Sequence, residues 1–169
     1  DWGNKTLSEK DFNRLMALKN EDYLSHIDEM DTTEILPDVE KTLNFLIDKN
    51  QRLALGSASK NAKPILKKVN LLDKFEAIVD GNDVSKAKPN PEVFLIGAKL
   101  LKMAPEDCIV FEDSVAGIQA ANIAKMISVG IGSEENLHEA DFVFSDFTEI
   151  SEDFLIDIIE NKVFKKTKR

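Results

Sequence analysis

From residue 52 onward, short apolar runs alternate with helix-like stretches, and this alternation limits the possible folds more than anything else in the chain. The spacing predicts strands over residues 52–56, 77–79, 108–111, 127–129 and 142–144, with helices over 61–69, 91–102, 115–125 and 152–161 between and after them. Strand and helix units of these lengths imply a mostly parallel sheet with helices on both faces, a Rossmann-like three-layer α/β domain. Ahead of it, residues 6–48 read as helical. Thr6 or Ser8 can cap a segment bearing Phe12, Leu15, Met16 and Leu18, and Asp22 can open another with Tyr23, Leu24 and Ile27. The stretch 31–37 breaks the periodicity, after which Asp38 is placed to cap a helix carrying Val39, Leu43, Leu46 and Ile47. The break divides a helical appendage, residues 1–34, from the main domain, residues 35–169.

With 169 residues and 43% hydrophobic content, the chain can bury one full core. The net charge of -9 argues against a nucleic-acid surface. An anionic small substrate would then need local lysines or a divalent cation to overcome the general field. Cys108 is the only cysteine, which excludes an internal disulfide and a cysteine-based zinc cluster; beside Ile109 and Val110 it reads as a buried, inert thiol. No apolar run approaches a membrane span and no signal-peptide pattern occurs, so a cytoplasmic protein without membrane partners is expected. His26 and His138 lack companions at ligand spacing and read as surface or structural groups. Trp2 and the phenylalanines read as packing, and Lys165, Lys166, Lys168 and Arg169 as a solvated tail.

Three loops that leave predicted strands carry chemistry. Glu112 and Asp113 end the 108–111 run and precede a small-residue helix that Asp113 or Ser114 can cap. Paired carboxylates at the mouth of a sheet suit a metal, although acids at a helix N-terminus are favoured by its dipole in any case. Ser57, Ala58, Ser59, Lys60 and Asn61 follow the first strand; their hydroxyls and N–H groups, backed by a helix N-terminus and the Lys60 charge, can cradle a phosphate or simply cap a turn. Lys88 lies between Ala87 and Pro89. Pro89 biases it toward an extended backbone, and Asn90 with Pro91 forms an N-cap and first-turn pair. A lysine braced in this way can screen a transferring phosphoryl group, whereas Lys86 reads as solvent-facing.

The ordered set of hydroxyl loop, braced lysine and acid pair resembles the haloacid dehalogenase-like phosphotransferases over nearly the whole chain. Gly56–Asn61 is similar to that family's second motif, Lys88 to Phe94 to its third, and Glu112 to Ala120 to its fourth. Ser-Ala-Ser-Lys-Asn followed by Glu-Asp-Ser-x-Ala-Gly-Ile-Gln-Ala favours the family's sugar-phosphate mutases over its phosphatases. The resemblance implies an aspartyl-phosphate mechanism with Mg2+ and a phosphorylated sugar as partner: β-glucose 1-phosphate and glucose 6-phosphate interconverted through glucose 1,6-bisphosphate. It assigns Ser57 and the Ala58 N–H to the transferring phosphoryl group, Lys88 to its neutralisation, and Ser59, Lys60 and Asn61 to the sugar's other phosphate. Glu112 and Asp113 would hold Mg2+.

The departure is equally clear, because no Asp-x-Asp-Gly follows a strand; Asp80-Gly-Asn-Asp83 is the nearest mimic and has the wrong spacing. The family's first strand precedes its helical cap, so residues 1–34 are expected to be the remainder of that cap and residues 35–169 a core lacking its central first strand. Such a core has a slot about 9–10 Å wide. A separate N-terminal fragment or a second copy could fill it, or the flanking strands could close up and pair. Three functions stay open: the mutase; a sugar-phosphate phosphatase; and an inactive fragment serving as an interaction module. A receiver-like signalling domain also uses acids and a lysine at strand ends, but the helical front and the 57–61 loop fit it poorly.

Overall fold

The computed structural model describes residues 8–160. Helix α1 (Glu9–Glu29) comes first, then α2 (Val39–Asp48), β1 (Ala54–Gly56), α3 (Ala62–Lys68), β2 (Ala77–Val79), α4 (Glu92–Leu100), β3 (Ile109–Glu112), α5 (Val115–Ile123), β4 (Ile127–Ile131), α6 (Glu134–Leu137), β5 (Phe142–Phe144) and α7 (Glu152–Glu160). The alternation is as expected, with boundaries moved by a few residues; the short helix α6 had no expectation. Thr6, Trp2 and the basic tail lie outside the described residues.

Two local readings are corrected. Asp22 does not open a second helix: α1 is continuous over 21 residues, since no glycine or proline interrupts it and a single aspartate is tolerated inside a helix. Ser8 is its N-cap, accepting from the Asp11 N–H. Asp38 does stand at the start of α2, but in a left-handed conformation without a side-chain capping bond. Its carboxylate lies 3.8 Å from Lys41 instead.

All strand pairs are parallel. They form two sheets, β1-β2 and β3-β4-β5. No ladder joins β1 to β3 among the described residues, so these strands have not closed up on each other. Helix α4 spans the join: it packs on β1 and β2 and also touches α5. Its Ala98 shares an apolar cluster with Val110 of β3, Ala121, Ala124 and Met126, and Phe94 packs at the edge. Val79, Ile118, Val129 and Leu155 are fully enclosed, and such burial is worth about 1.5–3 kcal/mol per side chain. Ser128 is equally enclosed, but its Oγ donates to Asn122 and accepts from the Asp141 N–H, so no polar group is orphaned. Cys108 is half-buried, not buried, and packs against the α4 cluster. Burial, reinforced by Asp107 and Glu106, pushes its thiol pKa up, which lowers the thiolate fraction.

Candidate active site

The carboxyl ends of β1 and β3 meet at one side chain. Lys88 Nζ lies 2.7 Å from Glu112 Oε2 and 3.4 Å from the Gly56 carbonyl oxygen, so the loop after β2 reaches both sheets. The two charged side chains are only 15% and 9% exposed, which makes this a substantially desolvated ion pair. The ammonium also sits 4.8 Å from the centre of the Phe94 ring.

The stiffness of the Lys88 segment has two sources. Asn90 Oδ1 accepts from the Glu92 N–H at 3.1 Å, although the helix proper starts one residue later than Asn90 and Pro91 had suggested. Glu92 then reaches back and accepts from the N–H groups of Ser85 and Lys86, at 2.9 and 2.8 Å, and from the Ser85 hydroxyl. These bonds, the one from the Lys86 N–H foremost, hold its carboxyl below the ordinary glutamate range. The bridging role of Glu92 was missed at the sequence level; the signal available was an acid in the first turn of a helix that follows a tight loop. The Lys88–Pro89 peptide bond is cis. Lys86 is exposed, as expected.

Glu112 and Asp113 diverge. Glu112 turns inward, where its Oε1 accepts from the Ser114 hydroxyl at 2.6 Å. Asp113 is exposed. Of the two capping candidates Ser114 is the one used, accepting from the Gly117 N–H at 3.1 Å. Among the described residues no group of three or more histidine, cysteine, aspartate or glutamate side chains converges to hold a metal. The two carboxylates nevertheless have the hard oxygen chemistry that suits Mg2+, which is commonly held by one or two carboxylates with substrate oxygens and water.

The 57–61 loop is more ordered than a row of free hydroxyls. Ser57 Oγ accepts from the Ser59 N–H and Ser59 Oγ from the Asn61 N–H, both at 3.1 Å, so each hydroxyl closes a local turn. The Ser57 N–H extends the sheet by donating to Val79 O at 2.9 Å. Asn61 starts α3 without a side-chain capping bond, and Lys60 is exposed. The N–H groups of Ala58 and Lys60 find no acceptor among the described residues. Lys88 thus brings Gly56 and Glu112 together; Ser57 is the residue after Gly56, and Asp113, although next to Glu112, faces solvent. His26 and His138 are exposed; His138 Nδ1 is 3.0 Å from Glu135 O.

A family model described as haloacid dehalogenase-like hydrolase matches residues 3–125. Beta-phosphoglucomutase of Bacillus subtilis is 36% identical over 141 residues, covering 83% of this chain and 62% of that protein. A phosphorylated carbohydrates phosphatase of Thermotoga maritima is 34% identical over 90 residues, covering 52% of this chain and 42% of its own length. The crystal structure of beta-phosphoglucomutase from Clostridium difficile superposes with a TM-score of 0.85 at 38% identity, covering 92% of this chain and 70% of that one. The chain thus spans less than two-thirds of the length of either curated relative.

Proposed function

The chain belongs to the haloacid dehalogenase-like hydrolase family, and on that premise we propose that the whole protein moves a phosphoryl group on a phosphorylated sugar, interconverting β-glucose 1-phosphate and glucose 6-phosphate through glucose 1,6-bisphosphate. The observation that supports this reading is the meeting of Lys88 with Gly56 and Glu112, which draws the ends of β1 and β3 to the loop after β2. Ser57 and the Ala58 N–H receive the transferring phosphoryl group; Lys88 neutralises its developing charge. Ser59, Lys60 and Asn61 hold the sugar's second phosphate. Glu112 and Asp113 would hold Mg2+, which would supply further charge neutralisation when bound. Residues 1–34 belong to a helical cap and residues 35–169 to the α/β core. No Asp-x-Asp pair occurs in the chain, so these residues are assigned binding, charge and metal duties, and the attacking carboxylate to the whole protein.

A phosphatase reading is favoured by the similarity to the Thermotoga maritima phosphatase. Lys60→Ala separates the two. Under the mutase reading, affinity for glucose 1,6-bisphosphate and mutase turnover fall about tenfold or more, while hydrolysis of p-nitrophenyl phosphate by the whole enzyme stays near wild type. Equal losses in both assays would favour water as the acceptor.

A further inference from the structure

The turn that follows β2 is tied to the back of the 57–61 loop. Asp80 is only 4% exposed, yet it contacts no cation in this network; its Oδ1 accepts instead from the backbone N–H and side-chain amide of Asn82, at 2.8 and 3.0 Å. Asp83 closes the turn by accepting from the Asp80 N–H at 2.9 Å. Held in this way, Asn82 Nδ2 donates to the Lys60 carbonyl at 3.3 Å, and the Gly81 N–H donates to the Ser59 carbonyl at 3.2 Å. A Cβ at Gly81 would lie 2.6 Å from the Ala58 carbonyl oxygen, so the approach is close enough to need glycine.

These bonds control the sign of the loop's outer face. In a trans peptide the N–H points opposite to the C=O. Pulling the Ser59 carbonyl toward Gly81 therefore turns the Lys60 N–H away from the 80–83 turn. Acceptor-free amides, here those of Ala58 and Lys60, favour an anion where the neighbouring carbonyls are turned back; carbonyls left facing out would repel one, and Asn82 holds that of Lys60. We propose that Asn82, oriented by Asp80, is a positioning residue that sets the 57–61 backbone for phosphate recognition. This rests on reading that loop as a phosphate cradle, and adds that its shape is imposed from the neighbouring turn.

Titration of inorganic phosphate into the 15N-labelled chain tests it, comparing wild type with Asn82→Leu, Asn82→Ser and Gly81→Ala. The serine variant keeps the backbone bond to Asp80 and loses both bonds of the side-chain amide, to the Lys60 carbonyl and to Asp80 Oδ1. The Ala58 and Lys60 amide resonances should move saturably in wild type. The Asn82 variants should bind about fivefold to tenfold more weakly, with thermal midpoints within about 2 °C of wild type. Gly81→Ala should also weaken binding. Equal affinity in wild type and the Asn82 variants overturns the proposal and leaves the cradle intact, as does a loss of binding that only tracks the unfolded fraction. A wild type in which the Ala58 and Lys60 amides do not respond overturns the proposal and the cradle together.

Discussion

At the scale of single residues, Gly117 decides where Glu112 can be. A Cβ at position 117 would lie 2.0–2.3 Å from Glu112 Cδ, Cγ and Oε1, so the carboxylate occupies the space that any side chain there would take. From that space it reaches both Lys88 and Ser114. Gly117→Ala gains about 1 kcal/mol in helix propensity, but overpacking costs about 1–3 kcal/mol, and moving Glu112 also strains a desolvated ion pair. The losses win. Urea denaturation should show the variant less stable by about 1–3 kcal/mol. Stability equal to or above wild type would mean that Glu112 relaxes freely and is not locked by its surroundings.

At the scale of elements, the packing described for α1 lies at its C-terminal end. Ile27 is 3% exposed, whereas Phe12 and Leu18 are about half exposed, at 52% and 51%. Its C-terminal end is anchored to α3, where Lys68 Nζ lies 2.8 Å from Asp28 O and 3.3 Å from Asp28 Oδ1. A helix without tertiary contacts is marginal in water. Amides in the N-terminal half of α1 should therefore exchange with opening free energies of no more than about 2 kcal/mol, while those of α5 should approach the global value. Hydrogen exchange followed by mass spectrometry measures both. Protection of residues 9–18 equal to that of α5 would show that the apolar face of α1 is covered in solution.

At the scale of the whole molecule, two sheets without a common ladder behave as one body only as far as other contacts join them. Among the described residues those contacts include α4, which packs on β1 and β2 and reaches α5, and the Lys88–Glu112 pair. Phe94 belongs to both, packing beside the α4 cluster and lying under the Lys88 ammonium. Phe94→Ala should cost about 2–4 kcal/mol, a little less than a fully buried phenylalanine. It should also lower the denaturant m value, because the halves then unfold less cooperatively. A midpoint and slope matching wild type would place the coupling elsewhere.

Much of this was legible in the residues. The alternation of strands and helices from residue 52 onward and the limits of β2 and β5 follow from periodicity, a signal that acts over a few positions, and the caps at Ser8 and Ser114 are each one of two candidates that capping preference left open. What the tertiary structure alone decided is which of those groups meet. Glu112 and Asp113 are adjacent acids of the same chemistry, yet one turns in to a lysine 24 residues away and the other faces solvent. Asn82 reaches a carbonyl 22 residues back. Contacts of that range depend on how the chain closes on itself, and no local pattern encodes the direction in which a side chain will then find its partner.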